Sequence, residues 1–187
     1  GTKVRKMHTS RRDAFRPINE PPLAKVYENG TIEILNNNYK KRNNDKVVVD
    51  DKFEHKTALI YVYPGMNPEI LDYYRKEKYR GIVIAATGLG NVSTMSPKYS
   101  LVKKIKELID NDVPVVIAAQ TLYGRVHPYV YTPLRKLSVE LNCIFVEDML
   151  PETAYIKLGW VLAQAKDIEE VKEMMLTNYA GEISERT

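Results

Sequence analysis

The pattern of apolar and polar positions changes character along this chain. Residues 1–45 are polar and irregular, broken by two short alternating pieces, Leu23-Ala24-Lys25-Val26-Tyr27 and Thr31-Ile32-Glu33-Ile34-Leu35. Glu28-Asn29-Gly30 joins them, which predicts a β-hairpin turned at the Asn-Gly pair. A basic, strand-like segment at residues 2–7 comes before it. Residues 36–45 are rich in Asn, Lys and Arg with no apolar period, and read as a linker.

From about residue 56 the rhythm becomes regular. Ala58-Leu59-Ile60-Tyr61-Val62-Tyr63 is a continuous apolar run closed by Pro64-Gly65, as a buried strand requires. Helical spacing follows at 68–78 through Ile70, Leu71 and Tyr74. A second strand at 81–86 ends in Thr87-Gly88-Leu89-Gly90-Asn91. Residues 97–110 form an amphipathic pattern, with Leu101, Val102, Ile105, Leu108 and Ile109 on one face and lysines on the other. The spacing predicts further strands at 113–119 and 143–146, and helices at 132–141, 151–164 and 167–175. Pro151 stands near a helix start, where it is tolerated, and Asp167 with Glu170 three residues on reads as an N-cap.

Strands apolar on both faces, alternating with helices, imply βαβ units and a parallel sheet. The fold class is therefore α/β. A small domain of roughly four parallel strands occupies 56–187, preceded by a distinct segment at 1–55. In such sheets ligand-binding groups sit in loops after the strand C-termini, here 64–67, 87–93, 120–131 and 147–151.

Composition narrows the picture. The chain has 187 residues, 44% hydrophobic and 28% charged, enough for a sizeable core in one domain with an addition, or in two small ones. A single cysteine, Cys143, excludes an internal disulfide framework and suits a reducing compartment. Its apolar surroundings predict an inert buried thiol. No stretch approaches the roughly 18 apolar residues that span a bilayer. No signal-peptide pattern is present either, so the expectation is a cytoplasmic protein without membrane contact. The net charge of +4 permits contact with nucleic acid without demonstrating it. The chain opens with Gly1 inside a strand-like segment, which suggests a fragment, a split gene product or a truncated expression product; removal of an initiator Met is the alternative.

Several motifs compete with plainer readings. Thr87-Gly88-Leu89-Gly90-Asn91 lacks the third glycine and the ribose-binding acid of a dinucleotide site. It reads first as a tight turn needing two glycines, and second as a loop presenting Asn91 to a small polar ligand. Arg125 in Thr121-Leu122-Tyr123-Gly124-Arg125-Val126 can pair with a carboxylate or phosphate, yet an ordinary surface arginine is the simpler reading. Glu147, Asp148 and Glu152 have the chemistry for acid–base work or metal binding, but acids before an apolar helix are expected to be caps that complement its dipole. His8, His55 and His127 are far apart and match no zinc pattern. The basic run from Lys3 to Arg12 either grips phosphates or forms a solvated end.

In order along the chain, KVRKMHTSRRDAFRPIN, GIVIAATGLGN, QTLYGRV, EDMLPETAYIKLGWVLAQAKDIEEVKEMM and LTNYAGEISER resemble the asparaginase superfamily. Within it, KMHTSRRDAF and TNYAGEIS are similar to the asparaginase-like subunits of archaeal glutamyl-tRNA(Gln) amidotransferases. The resemblance covers nearly the whole chain. It implies an asparaginase-type C-terminal α/β domain at 56–187, preceded at 1–55 by the end of a larger N-terminal α/β domain and the interdomain linker. It also implies hydrolysis of a glutamine or asparagine side-chain amide by two threonines, an aspartate and a lysine.

The lysine matches Lys6, whose implied role is proton transfer from a threonine hydroxyl. That role calls for partial burial or nearby positive charge, with Lys3, Arg5, Arg11 and Arg12 as the neighbouring cations. The threonine-bearing segments are expected upstream of Gly1. Asn91 falls where asparaginases present an Asn toward the partner protomer's substrate; the amidotransferase family usually carries His there. Further implications are a homodimer, a kinase-type amidating partner that uses ATP and Mg, and Glu-tRNA(Gln) bound through the complex. No cofactor is implied for this chain itself. A free archaeal asparaginase and a non-catalytic dimerisation or RNA-contact domain are the alternatives.

Overall fold

A computed structural model describes residues 1–184. The first part is two antiparallel ribbons. β1 (Val4–Lys6) pairs with β2 (Phe15–Pro17), and β3 (Ala24–Val26) pairs with β4 (Ile32–Ile34). The second ribbon is the hairpin expected at Asn29-Gly30: the Asn29 side chain accepts from Thr31 N–H at 3.0 Å, and Gly30 takes a φ of +83°. Residues 36–56 contain no helix or strand.

The regular part is a four-stranded, all-parallel sheet in the order β5 (Thr57–Tyr61), β6 (Gly81–Ala86), β7 (Val115–Ala119), β8 (Ile144–Phe145). Alternate residues of the inner strands feed two cores. Ile82, Ile84 and Ala86 join Ile117 and Ala119 on the face covered by α1 (Ile70–Lys76), α2 (Val102–Ile109) and α3 (Thr132–Arg135). Val83, Val116 and Ala118 face α4 (Pro151–Leu162) and α5 (Ile168–Leu176), with Leu158 and Met175 fully buried between them. Both faces of the sheet are covered, which is why its strands read as unbroken apolar runs.

Local chemistry sets the boundaries. α2 begins at Val102, five residues later than the expected start at residue 97, because Leu101 N–H is drawn to the Ser93 carbonyl at 2.9 Å and residues 96–100 close as a turn. α3 continues into a π-helical turn, Lys136–Glu140. α5 starts as expected. Asp167 accepts from Glu170 N–H at 2.8 Å, and the Glu170 carboxylate accepts from Lys166 N–H at 2.7 Å.

Candidate functional site

The loop after β6 is a closed turn. Thr87 and Asn91 exchange backbone hydrogen bonds of 3.0 and 2.8 Å, with Gly88 at φ +51° and Gly90 at φ +111°. The two-glycine turn expected from the sequence is therefore present. No helix starts over it, since α2 begins eleven residues beyond Asn91, so the loop lacks the helix N-terminus on which a dinucleotide pyrophosphate rests.

Asn91 is half-buried and lines a cavity of about 340 Å³ at the C-terminal edge of β5 and β6, with Tyr63, Gly65, Met66, Thr87 and Tyr99. Gln120, at the end of β7, donates to the carbonyls of Val62 (2.6 Å) and Ala85 (2.8 Å), tying three strand ends together beside this edge.

Lys6 closes β1 and is exposed. Among the described residues its side chain has no hydrogen-bond or ion-pair partner. The cations around it are each held by an acid. Arg11 pairs with Asp13 at 2.8 Å, Arg12 with Glu28 at 3.2 Å, Arg5 with Glu152, and buried Lys3 with buried Asp148. The concentrated positive charge expected around Lys6 is thus neutralised pair by pair. Lys6 and Asn91 lie on separate elements, and no hydrogen bond joins them.

The acids before α4 correct the sequence reading in part. The N-cap of α4 is Leu150, with no side-chain cap hydrogen bond, so Glu147 and Asp148 do not cap it; Glu152 lies in its first turn, where a carboxylate complements the helix dipole as expected. Asp148 instead accepts from Lys3 and from Ser184 N–H at 2.9 Å. Burial alone would raise its carboxyl; the hydrogen bonds from Lys3 and Ser184 outweigh this and hold it below the ordinary carboxylate range. Glu152 accepts from Arg5 and from the Tyr61 hydroxyl at 2.9 Å. There too burial is outweighed, by its own backbone N–H, Tyr61 and Arg5, and the carboxyl is lowered. For Tyr61 itself, burial and then Glu152 raise the hydroxyl. Glu147, at φ +55°, pairs with Arg125 at 3.3 Å, so this arginine answers an acid of its own chain.

One further buried pair is not evident from the sequence. Lys157, in the middle of α4, donates to Glu182 at 2.7 Å and to the Thr177 carbonyl, binding the tail to the helix. Its signal is a lone lysine in an apolar helix. For Lys3 and Arg5 the signal is charge at period two in a strand, opposite acids spaced four apart. Cys143 is buried as expected, and burial pushes its thiol up to about 12.

Residues 56–175 match the Glutaminase/Asparaginase C-terminal domain, and the chain belongs to that family. Over all 187 residues it is 53% identical to the D-type subunit of the glutamyl-tRNA(Gln) amidotransferase of Pyrococcus furiosus, and 48% identical to that of Methanothermobacter thermautotrophicus. The chain spans 41% of the length of each of these relatives. Among solved structures, the L-asparaginase of Thermococcus kodakarensis superposes with a TM-score of 0.84 at 30% identity, over 99% of this chain and 54% of that one. The L-asparaginase I of Vibrio cholerae gives 0.81 at 27% identity, over 98% and 54%. The asparaginase-type α/β fold and the kinship with the amidotransferase D-type subunits both agree with the sequence expectation.

Proposed function

We propose that this chain is the C-terminal share of the glutaminase subunit of a tRNA-dependent amidotransferase, which releases ammonia from glutamine for conversion of Glu-tRNA(Gln) to Gln-tRNA(Gln). The observation that carries the reading is the identity of about half, over the whole chain, with archaeal proteins named for that amidotransferase. Residues 1–55 are then the end of the N-terminal catalytic domain and the linker, and residues 56–187 the C-terminal domain.

In this reading the nucleophilic threonines belong to the upstream share. Lys6 supplies the base: its amine takes the proton of a threonine hydroxyl, whose oxygen then attacks the amide carbon. Asn91, at the edge of its cavity, reaches toward a glutamine held by the partner copy of a homodimer. The ATP- and Mg-using step and the charged tRNA belong to the amidating partner of the complex, which works in the cytoplasm.

The structural likeness to L-asparaginases favours a second reading, the corresponding share of a free asparaginase. Ammonia release from glutamine and from asparagine separates the two when measured on the whole subunit with its partner and Glu-tRNA(Gln). Preference for glutamine, raised by the charged tRNA, supports the amidotransferase. Preference for asparagine regardless of tRNA supports the asparaginase. If neither amide is hydrolysed, a non-catalytic dimerisation or RNA-contact role gains.

A further inference from the structure

Among the described residues, the side chains of β1 and of Lys3 just before it that reach the α/β unit lie on one face of the strand. Successive residues of a strand point to opposite faces, so Lys3 and Arg5 share one face and Val4 and Lys6 the other. The first face is fully engaged. Lys3, 5% exposed, meets Asp148 in the loop between β8 and α4, and its ammonium also reaches Ser184. Arg5 meets Glu152 in the first turn of α4, and Tyr61 at the end of β5 donates to the same carboxylate oxygen. Thr153 adds a third tie, its hydroxyl donating to the Thr2 carbonyl at 2.7 Å. Backbone bonds from Ile18 N–H to the Lys3 carbonyl (2.8 Å) and from Met7 N–H to the Ala14 carbonyl (2.7 Å) lock β1 to β2, where Ala14 and Ile18 are buried.

All three ties converge on the start of α4, a helix fixed in the core by Ala154, Leu158 and Val161. Each joins residues about 150 positions apart in sequence, so β1 takes its place from the α/β unit. Surface ion pairs add little stability, and buried pairs often break even against desolvation, so the stronger physical consequence of this arrangement is geometric.

We propose that Asp148 and Glu152 are positioning residues for the amide-hydrolysing reaction: they hold β1 from its far face so that the Lys6 amine stands at a fixed place on the free face. The inference rests on the reading of Lys6 given above. Neither acid bonds to Lys6, so each acts through the strand.

The test uses the whole subunit in its complex, with glutamine as substrate. Asp148→Asn strands a buried ammonium and threatens the fold, so the more exposed pair carries the experiment. Glu152→Gln is expected to lower kcat at least about tenfold, a share of the roughly hundredfold that misplacing a catalytic group by about 1 Å costs. The glutamine KM and the Tm should stay close to those of the parent. The reversed pair, Arg5→Glu with Glu152→Arg, is expected to restore most of the lost kcat. An unchanged kcat in Glu152→Gln, or a loss that the reversed pair fails to recover, overturns the proposal. Lys6→Ala, run alongside, separates the two claims. If it abolishes turnover while Glu152→Gln does nothing, only the positioning idea fails; if Lys6→Ala is harmless, the reading of Lys6 fails as well.

Discussion

Replacing Gly90 with alanine strikes the loop that presents Asn91, and the structure gives two separate costs. The backbone at Gly90 has φ +111°, a region that L side chains rarely adopt. Left-handed backbone costs an L residue about 1–2 kcal/mol. The new Cβ would also stand 2.8 Å from Phe145 Cε1 and 3.2 Å from Ile117 Cγ2. Both neighbours sit on strands inside the core, 7% and 0% exposed, so neither backbone can retreat freely. Overpacking of this kind costs about 1–3 kcal/mol, and the two together give about 2–5 kcal/mol. For a chain of this size, that lowers the Tm by about 5–20 °C. Urea unfolding followed by circular dichroism should show a lower midpoint at an unchanged slope. Phe145→Leu in the Gly90→Ala background removes the ring edge that meets the methyl. The pair should therefore be less damaging than the sum of the singles by about 0.5 kcal/mol or more. A loss below about 1 kcal/mol for Gly90→Ala, or strict additivity with Phe145→Leu, would refute the reasoning.

Three other outcomes are expected. Cys143, buried and with its thiol pushed up to about 12, should resist iodoacetamide at about pH 8 in the folded protein and react at once in urea; mass spectrometry reads the adduct, and rapid labelling without urea counts against the packing. Asp167→Ala removes the acceptor for Glu170 N–H and should cost about 1 kcal/mol in a urea titration, whereas an effect near zero would show the cap to be idle. The carboxyls of Asp148, Glu152 and Glu182 all lie below their ordinary values of 3.8 and 4.5 in the folded protein. Their contribution is therefore fully present above those values and lost as pH falls through the lower folded ones, so the urea midpoint should hold down to about pH 5 and drop below about pH 4. A midpoint that rises on acidification contradicts these pairs.

The parallel sheet is legible in the sequence because burial on both faces leaves few polar residues in β5, β6 and β7, and the runs of β5 and β6 end at glycine or proline turns. The β3–β4 hairpin is legible from Asn29-Gly30 between two alternating runs. Helix starts are harder. The sequence reading starts a helix at residue 97, but the apolar face begins only at Leu101, whose N–H is taken by the Ser93 carbonyl, and α2 begins at Val102. Glu147 and Asp148 mislead for a related reason: a carboxylate just before a helix has the same local pattern whether it caps that helix or receives a cation from elsewhere in the chain. Only the fold brings Lys3 to Asp148 and Arg5 to Glu152. Lys6 stands out through motif likeness, and Asn91 through its place after β6. The exposure of Lys6 cannot be read from spacing, and Lys3, Arg5 and Arg12 find their acids only in other segments, although Arg11 and Asp13 are neighbours.

The central claim is that Lys6 is the proton acceptor for a nucleophile carried by a different stretch of the subunit. Ammonia release from glutamine by the whole subunit in its complex, compared with the Lys6→Ala variant and with the 187-residue chain alone, tests it most directly. Lys6→Ala is expected to lower kcat by about a hundredfold or more at unchanged Tm, as loss of a general base does, and the isolated chain to release no ammonia. A loss under about tenfold in Lys6→Ala, or measurable turnover by the isolated chain, would contradict it.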